Sequence, residues 1–82
     1  MYNTTTVGPD KAVEMIRRQL MAEGMKPNWL GRWGRKKVEF ISFPWQAGRE
    51  LFVLVRKPNQ PDTVECITVD EVKPLGEVQP LA

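Results

Sequence analysis

Leu51-Phe-Val-Leu-Val55 is the feature that most narrows what this chain can fold into, because five consecutive apolar residues leave no polar side to turn toward water. A run of strand length with that character belongs to a strand covered on both faces or central in a small sheet, so it is read as the middle strand. The rest of the fold has to be arranged around it. In 82 residues there is room for one core, with roughly 60% of the unfolded surface buried, and no room for a separate catalytic lobe.

Two further segments carry strand signals. Val38-Glu-Phe-Ile-Ser-Phe43 is β-branched and aromatic and is stopped by Pro44. Thr63-Val-Glu-Cys-Ile-Thr-Val69 alternates like a half-buried strand, after a loop containing Pro58 and Pro61. Ala47-Gly48-Arg49 turns the chain between the first two strands. Upstream, Val13, Ile16 and Leu20 recur at the helical period while Lys11, Glu14, Arg17 and Arg18 mark a wet side, with Glu14 four residues before Arg18. Pro9 suits a first helical position, Gly24 a left-handed terminator, and Met25 can cover Leu20 behind it, so a helix is expected over 9–23.

The expected fold is therefore α+β: one N-terminal helix packed on a three-stranded antiparallel meander, in the order α-β-β-β. It occupies residues 1–82 as a single domain, with 1–8 and 74–82 extended or flexible; Pro74, Gly76 and Pro80 rule out a long helix at the end.

Composition removes several function classes. Histidine is absent, which takes away the usual general base, metal ligand and pH switch. Cys66 is the only cysteine, so no intrachain disulfide or thiolate cluster forms, and its parity with Val64 and Thr68 reads as a small core hydrophobe. Asp62, Glu65, Asp70, Glu71 and Glu77 match no calcium-loop spacing, and no glycine pattern cradles a phosphate. No cofactor and no enzymatic activity are expected. No apolar run reaches the ~20 residues of a membrane span and no charged-then-apolar leader follows Met1, so a cytoplasmic protein without membrane contact is expected.

The charge is uneven. Residues 1–41 hold eight Lys/Arg against four Asp/Glu, whereas residues 42–82 hold four against six. The cations concentrate in Lys26-Pro-Asn-Trp29-Leu-Gly-Arg32-Trp33-Gly-Arg35-Lys36-Lys37, where five of them and two tryptophans share twelve residues with no acid. Read as a loop between helix and strand, this segment offers Lys26, Arg32, Arg35, Lys36 and Lys37 to phosphates and Trp33 to a base or a partner surface. Trp45, at the turn after Pro44, and Arg56, at the end of the central strand, are candidates to extend it. Trp29 and Leu30 are read as closing the end of the core.

Two partners fit these residues: nucleic acid, DNA or RNA, held through phosphates and bases, or a protein whose functional surface, such as a nucleic-acid-binding one, is occupied by an adaptor or inhibitor anchored on Trp33 and Arg32. The first makes this a small non-enzymatic nucleic-acid-binding protein.

Overall fold

The computed structural model describes residues 9–80. The arm expected at residues 1–8 lies outside the described residues, as do residues 81–82.

Helix α1 (Pro9–Ala22) forms on the periodic segment. It ends in a Schellman arrangement: the Met25 N–H donates to the Leu20 carbonyl at 2.9 Å and the Gly24 N–H to the Met21 carbonyl at 3.1 Å. Gly24 takes the left-handed φ of 112° that this closure requires, and Met25 goes fully into the core. The faces are rotated from those expected: Ile16 is 52% exposed, whereas Glu14 and Arg17, expected in water, are half-buried, and the Glu14 carboxylate accepts from Arg17 (Nε at 2.8 Å, Nη2 at 3.1 Å) and from Arg18 (Nε at 3.1 Å). Those guanidiniums, Arg17 foremost, pull the Glu14 pKa down to about 2, and Glu14 in turn raises that of Arg17. Arg17 also donates to the Pro44 carbonyl at 3.2 Å, which ties the helix to the sheet.

The sheet is not the expected three-stranded meander. Six antiparallel strands form it: β1 (Trp29–Trp33), β2 (Lys36–Phe40), β3 (Trp45–Ala47), β4 (Glu50–Lys57), β5 (Gln60–Thr68) and β6 (Val72–Val78). The expected strand over 38–43 is split. β2 ends at Phe40, the chain steps aside through Ile41–Pro44, and β3 resumes along the same edge of β4. Across the step the Ile41 N–H donates to the Leu54 carbonyl (2.8 Å) and the Leu54 N–H to Ser42 Oγ (3.1 Å), so the backbone of β4 stays paired. β5 covers the other edge of β4, in the register Val53↔Ile67 and Leu54↔Cys66.

β1 and β6, both absent from the expected meander, complete the other side in the order β4, β2, β1, β6. β5 and β6 are thus the two outer strands, yet only the 3₁₀ turn Val69–Glu71 joins them in sequence. Strands at opposite margins can follow each other so closely only if the sheet curls on itself, and the result is a half-barrel with α1 laid against β3 and β4.

The concave side holds the core: Met25, Val38, Phe40, Val53, Val55, Ile67 and Val72, with Leu20, Trp29, Trp33 and Val69 packed against it. Strand alternation then sets the opposite positions on the convex side. In β4 these are Phe52 and Leu54, both half-buried, so the apolar run is apolar on both sides although only Leu51, Val53 and Val55 are buried. Gly31 is a packing residue: a Cβ there would stand 2.5 Å from Cζ of Phe40, whose ring fills the space.

Candidate functional site

The basic segment is not a helix–strand loop. Residues 23–28 alone connect α1 to β1, and from Trp29 onward the segment is a β-hairpin with the register Arg32↔Lys37 and Trp33↔Lys36. Its turn is the two-residue Gly34-Arg35, with φ of 64° at Gly34, the first central position, as in a type II′ turn whose twist matches paired strands. That conformation is strained for any residue with a side chain.

The hairpin sorts its cations by face. Arg32 pairs with Lys37 on one side and with Lys73 of β6 on the other, so Lys37, Arg32 and Lys73 stand in one row across three neighbouring strands. Their neighbours Val38, Gly31 and Val72 are buried, which puts the row on the convex side, and all three side chains are exposed. Directly opposed like charges destabilise a sheet by about 0.2–1 kcal/mol per pair. No salt bridge among the described residues relieves any of the three.

On the other face, at the rim of the concave side, the half-buried Trp33 forms a wall of an open concavity of ≈ 250 Å³ with Arg35, Lys36 and Lys57. The Lys57 ammonium stands 5.5 Å from the centre of the Trp33 ring, a cation–π distance, and 3.8 Å from Glu65 Oε2. The exposed Arg35 is at the turn itself, between the two faces.

Three of the sequence candidates lie elsewhere. Lys26 sits before β1, at the end opposite the turn, with its ammonium 4.7 Å from the ring centre of Trp29, whose indole packs on the core. Trp45 lies on β3 beside the start of β4, where it pairs with Phe52 at 6.1 Å between ring centres, and therefore shares no platform with Trp33. Arg56 does not extend the basic surface around Trp33. Its Nε donates to Oε1 of Glu39 at 2.7 Å, and Glu39 is only 2% exposed. The Gln79 amide, turned with its NH₂ toward Glu39, donates to both carboxylate oxygens at 2.7 and 2.9 Å. Arg56 is thus a neutralised structural cation.

Cys66 is exposed rather than a core residue, because Ile67 and Val53 take the concave side in that register. Among the described residues no group of three or more His, Cys, Asp or Glu is placed to hold a metal ion. No helix among them is long and apolar enough to cross a membrane.

Lys73 is the member of the site that the sequence conceals, since Pro74 and Gly76 beside it discourage a strand reading. Its signal would have been a third strand pairing with β1. No protein-family model matches the chain, no curated protein matches its sequence, and no solved structure matches its fold.

Proposed function

We propose that this is a non-enzymatic nucleic-acid-binding protein that holds phosphates on the β1–β2 hairpin and the adjoining β6. The observation that carries the reading is the row Lys37, Arg32, Lys73, in which like charges face one another without a carboxylate between them. A fold gains nothing from such a row until an anion with repeated charges lies across it, and a phosphate backbone is an anion of that kind. Arg35, Lys36 and Lys57 around Trp33 add charge at the same end of the hairpin. Titration of labelled duplex and single-stranded oligonucleotides at low and physiological salt tests this directly. Binding that weakens steeply with salt is expected; no binding to either at low salt overturns the reading.

A second reading rests on a different part of the surface. On the convex side of β3, β4 and β5, Trp45, Phe52, Leu54 and Val64 lie on adjacent strands, and Trp45 (37%) and Val64 (49%) are well exposed. Exposed apolar side chains that adjoin one another suit a protein partner, and aromatic residues are enriched at the centres of such contacts. A pull-down with and without nuclease separates the two: partners that survive nuclease and are lost in Trp45→Ala support the protein reading.

A further inference from the structure

Resting on the phosphate-binding reading, we propose that the ligand is single-stranded nucleic acid, DNA or RNA, with one unpaired base seated against Trp33 in the concavity between Lys36 and Lys57. Three features of the hairpin lead there.

The hairpin does not project. β6 runs beside β1 as far as Trp33↔Val72, so the element available for insertion is the three-stranded β2–β1–β6. That element is one strand broader, by about 4.8 Å, than the two-stranded ribbon that a duplex major groove of about 12 Å admits. Contacts to a duplex would be confined to its outer surface.

The cations also lie on both faces of the hairpin. Lys37, Arg32 and Lys73 occupy the convex side, Lys36 and Lys57 the concave rim, and Arg35 the turn between them. Space around the turn is open, with no atom within 4 Å of where a Cβ on Gly34 would stand. A ligand meeting both sets must bend sharply around the turn. Duplex DNA, with a persistence length of about 50 nm, resists that bend, whereas a single strand follows it.

The third feature is the indole in the middle of the basic concavity. Inside a duplex both faces of a base are already stacked, so only an unpaired base offers Trp33 a free π-face. The ring now faces the Lys57 ammonium at 5.5 Å, and Glu65 holds that ammonium from 3.8 Å. An entering base replaces a cation–π contact with a stack, and Lys57 turns from the ring to the phosphate beside that base. The row on the convex side carries the next phosphates along the strand.

The test uses the full chain and four labelled probes at one low salt concentration: a 12-nucleotide single-stranded DNA, the same sequence in RNA, an abasic deoxyribose-phosphate strand of the same charge, and a duplex long enough to stay paired at that salt. Wild type is expected to bind both base-bearing single strands at least about tenfold more tightly than the abasic strand or the duplex. Because Trp33 also packs on the core, Trp33→Leu is the variant of choice: it keeps apolar volume and lacks the aromatic face. It should weaken the single strands by about 5- to 150-fold, the equivalent of one lost stack, leave the abasic strand unchanged, and be rescued by Trp33→Phe. Lys11→Ala, an exposed cation on α1, serves as the control for net charge. Equal affinity for abasic and base-bearing strands, or tighter binding to the duplex, overturns this inference while leaving phosphate binding intact. Failure of all four probes to bind removes the phosphate-binding reading and this one with it.

Discussion

Arg56 and Glu39 form an ion pair across β4 and β2, with Nε 2.7 Å from Oε1 and the carboxylate almost wholly buried. Breaking a buried pair from one side strands a charge; because Arg56 keeps a third of its side chain in water and the Gln79 amide still donates to Glu39, the expected loss for Arg56→Ala is about 2–4 kcal/mol, reaching below the roughly 3–5 kcal/mol typical of such pairs. Removing both charges, in Arg56→Ala with Glu39→Gln, should cost less than the sum of the two single changes. Urea unfolding of the four proteins checks this; additivity would mean the pair is not coupled.

Gly31 and Gly34 test two different demands on the backbone. Gly31→Ala drives a methyl into the Phe40 ring, 2.5 Å away, and should destabilise by about 1–3 kcal/mol as an overpacked core does. Gly34→Ala meets no neighbouring atom and should cost only the backbone strain of a positive-φ turn residue, about 1–3 kcal/mol. A Gly31→Ala protein that melts at the wild-type temperature would contradict the packing of Phe40 against Gly31.

Acid should loosen the helix in a defined window. The Glu14 pKa falls from 4.5 to about 2 on folding, so the folded state binds fewer protons than the unfolded one between those values. The stability Glu14 contributes is fully present above pH 4.5 and is lost as pH drops toward 2. In Glu14→Gln that part of the pH dependence should vanish. Unfolding midpoints measured from pH 6 to pH 2 that fall in parallel for both proteins would show the Arg17 and Arg18 contacts to be without consequence.

A labelling experiment on β5 and two substitutions in β4 separate the faces of the sheet. Cys66 is exposed and should react with a thiol reagent in the native protein as fast as in urea, to within about tenfold. Val53→Asp buries an unpaired carboxylate at a position with no exposure and should abolish the cooperative melt, whereas Leu54→Asp on the half-buried convex side should leave a folded, weakened protein. The reverse order would mean that the register Leu54↔Cys66 is wrong.

What the sequence revealed, and what it hid, follows from where each signal was local. The helix was legible because its period, the Glu14 pairs and the Gly24 terminator all lie within one segment. β4 was legible because its residues are apolar on both faces. β1 was hidden by Gly31, which looks like a loop residue until Phe40 is seen occupying its missing side chain. β6 was hidden by Pro74 and Gly76; as the outer strand it tolerates a proline, and Gly76 lies where its register against β1 shifts. Cys66 was misplaced because Val64, Cys66 and Thr68 alternate with Glu65 and Ile67 almost symmetrically, and only the pairing Val53↔Ile67 decides which set faces inward. The cations were visible one by one. Their alignment with Lys73 depends on a strand pairing more than forty residues apart in sequence, which no local pattern encodes.

The central claim is that the row Lys37, Arg32, Lys73 is a phosphate contact, and the salt dependence of affinity measures it most directly. A single-stranded oligonucleotide should be titrated with wild type and with the Arg32→Ala, Lys37→Ala, Lys73→Ala triple variant from 20 to about 200 mM salt, since each phosphate contact on a single strand contributes about 0.7 to the log–log slope. The expected result is a wild-type slope of about −3 to −4 that flattens by about two units in a triple variant with an unchanged or improved melting temperature, because the opposed charges are gone. A triple variant that binds with the wild-type slope would contradict the claim.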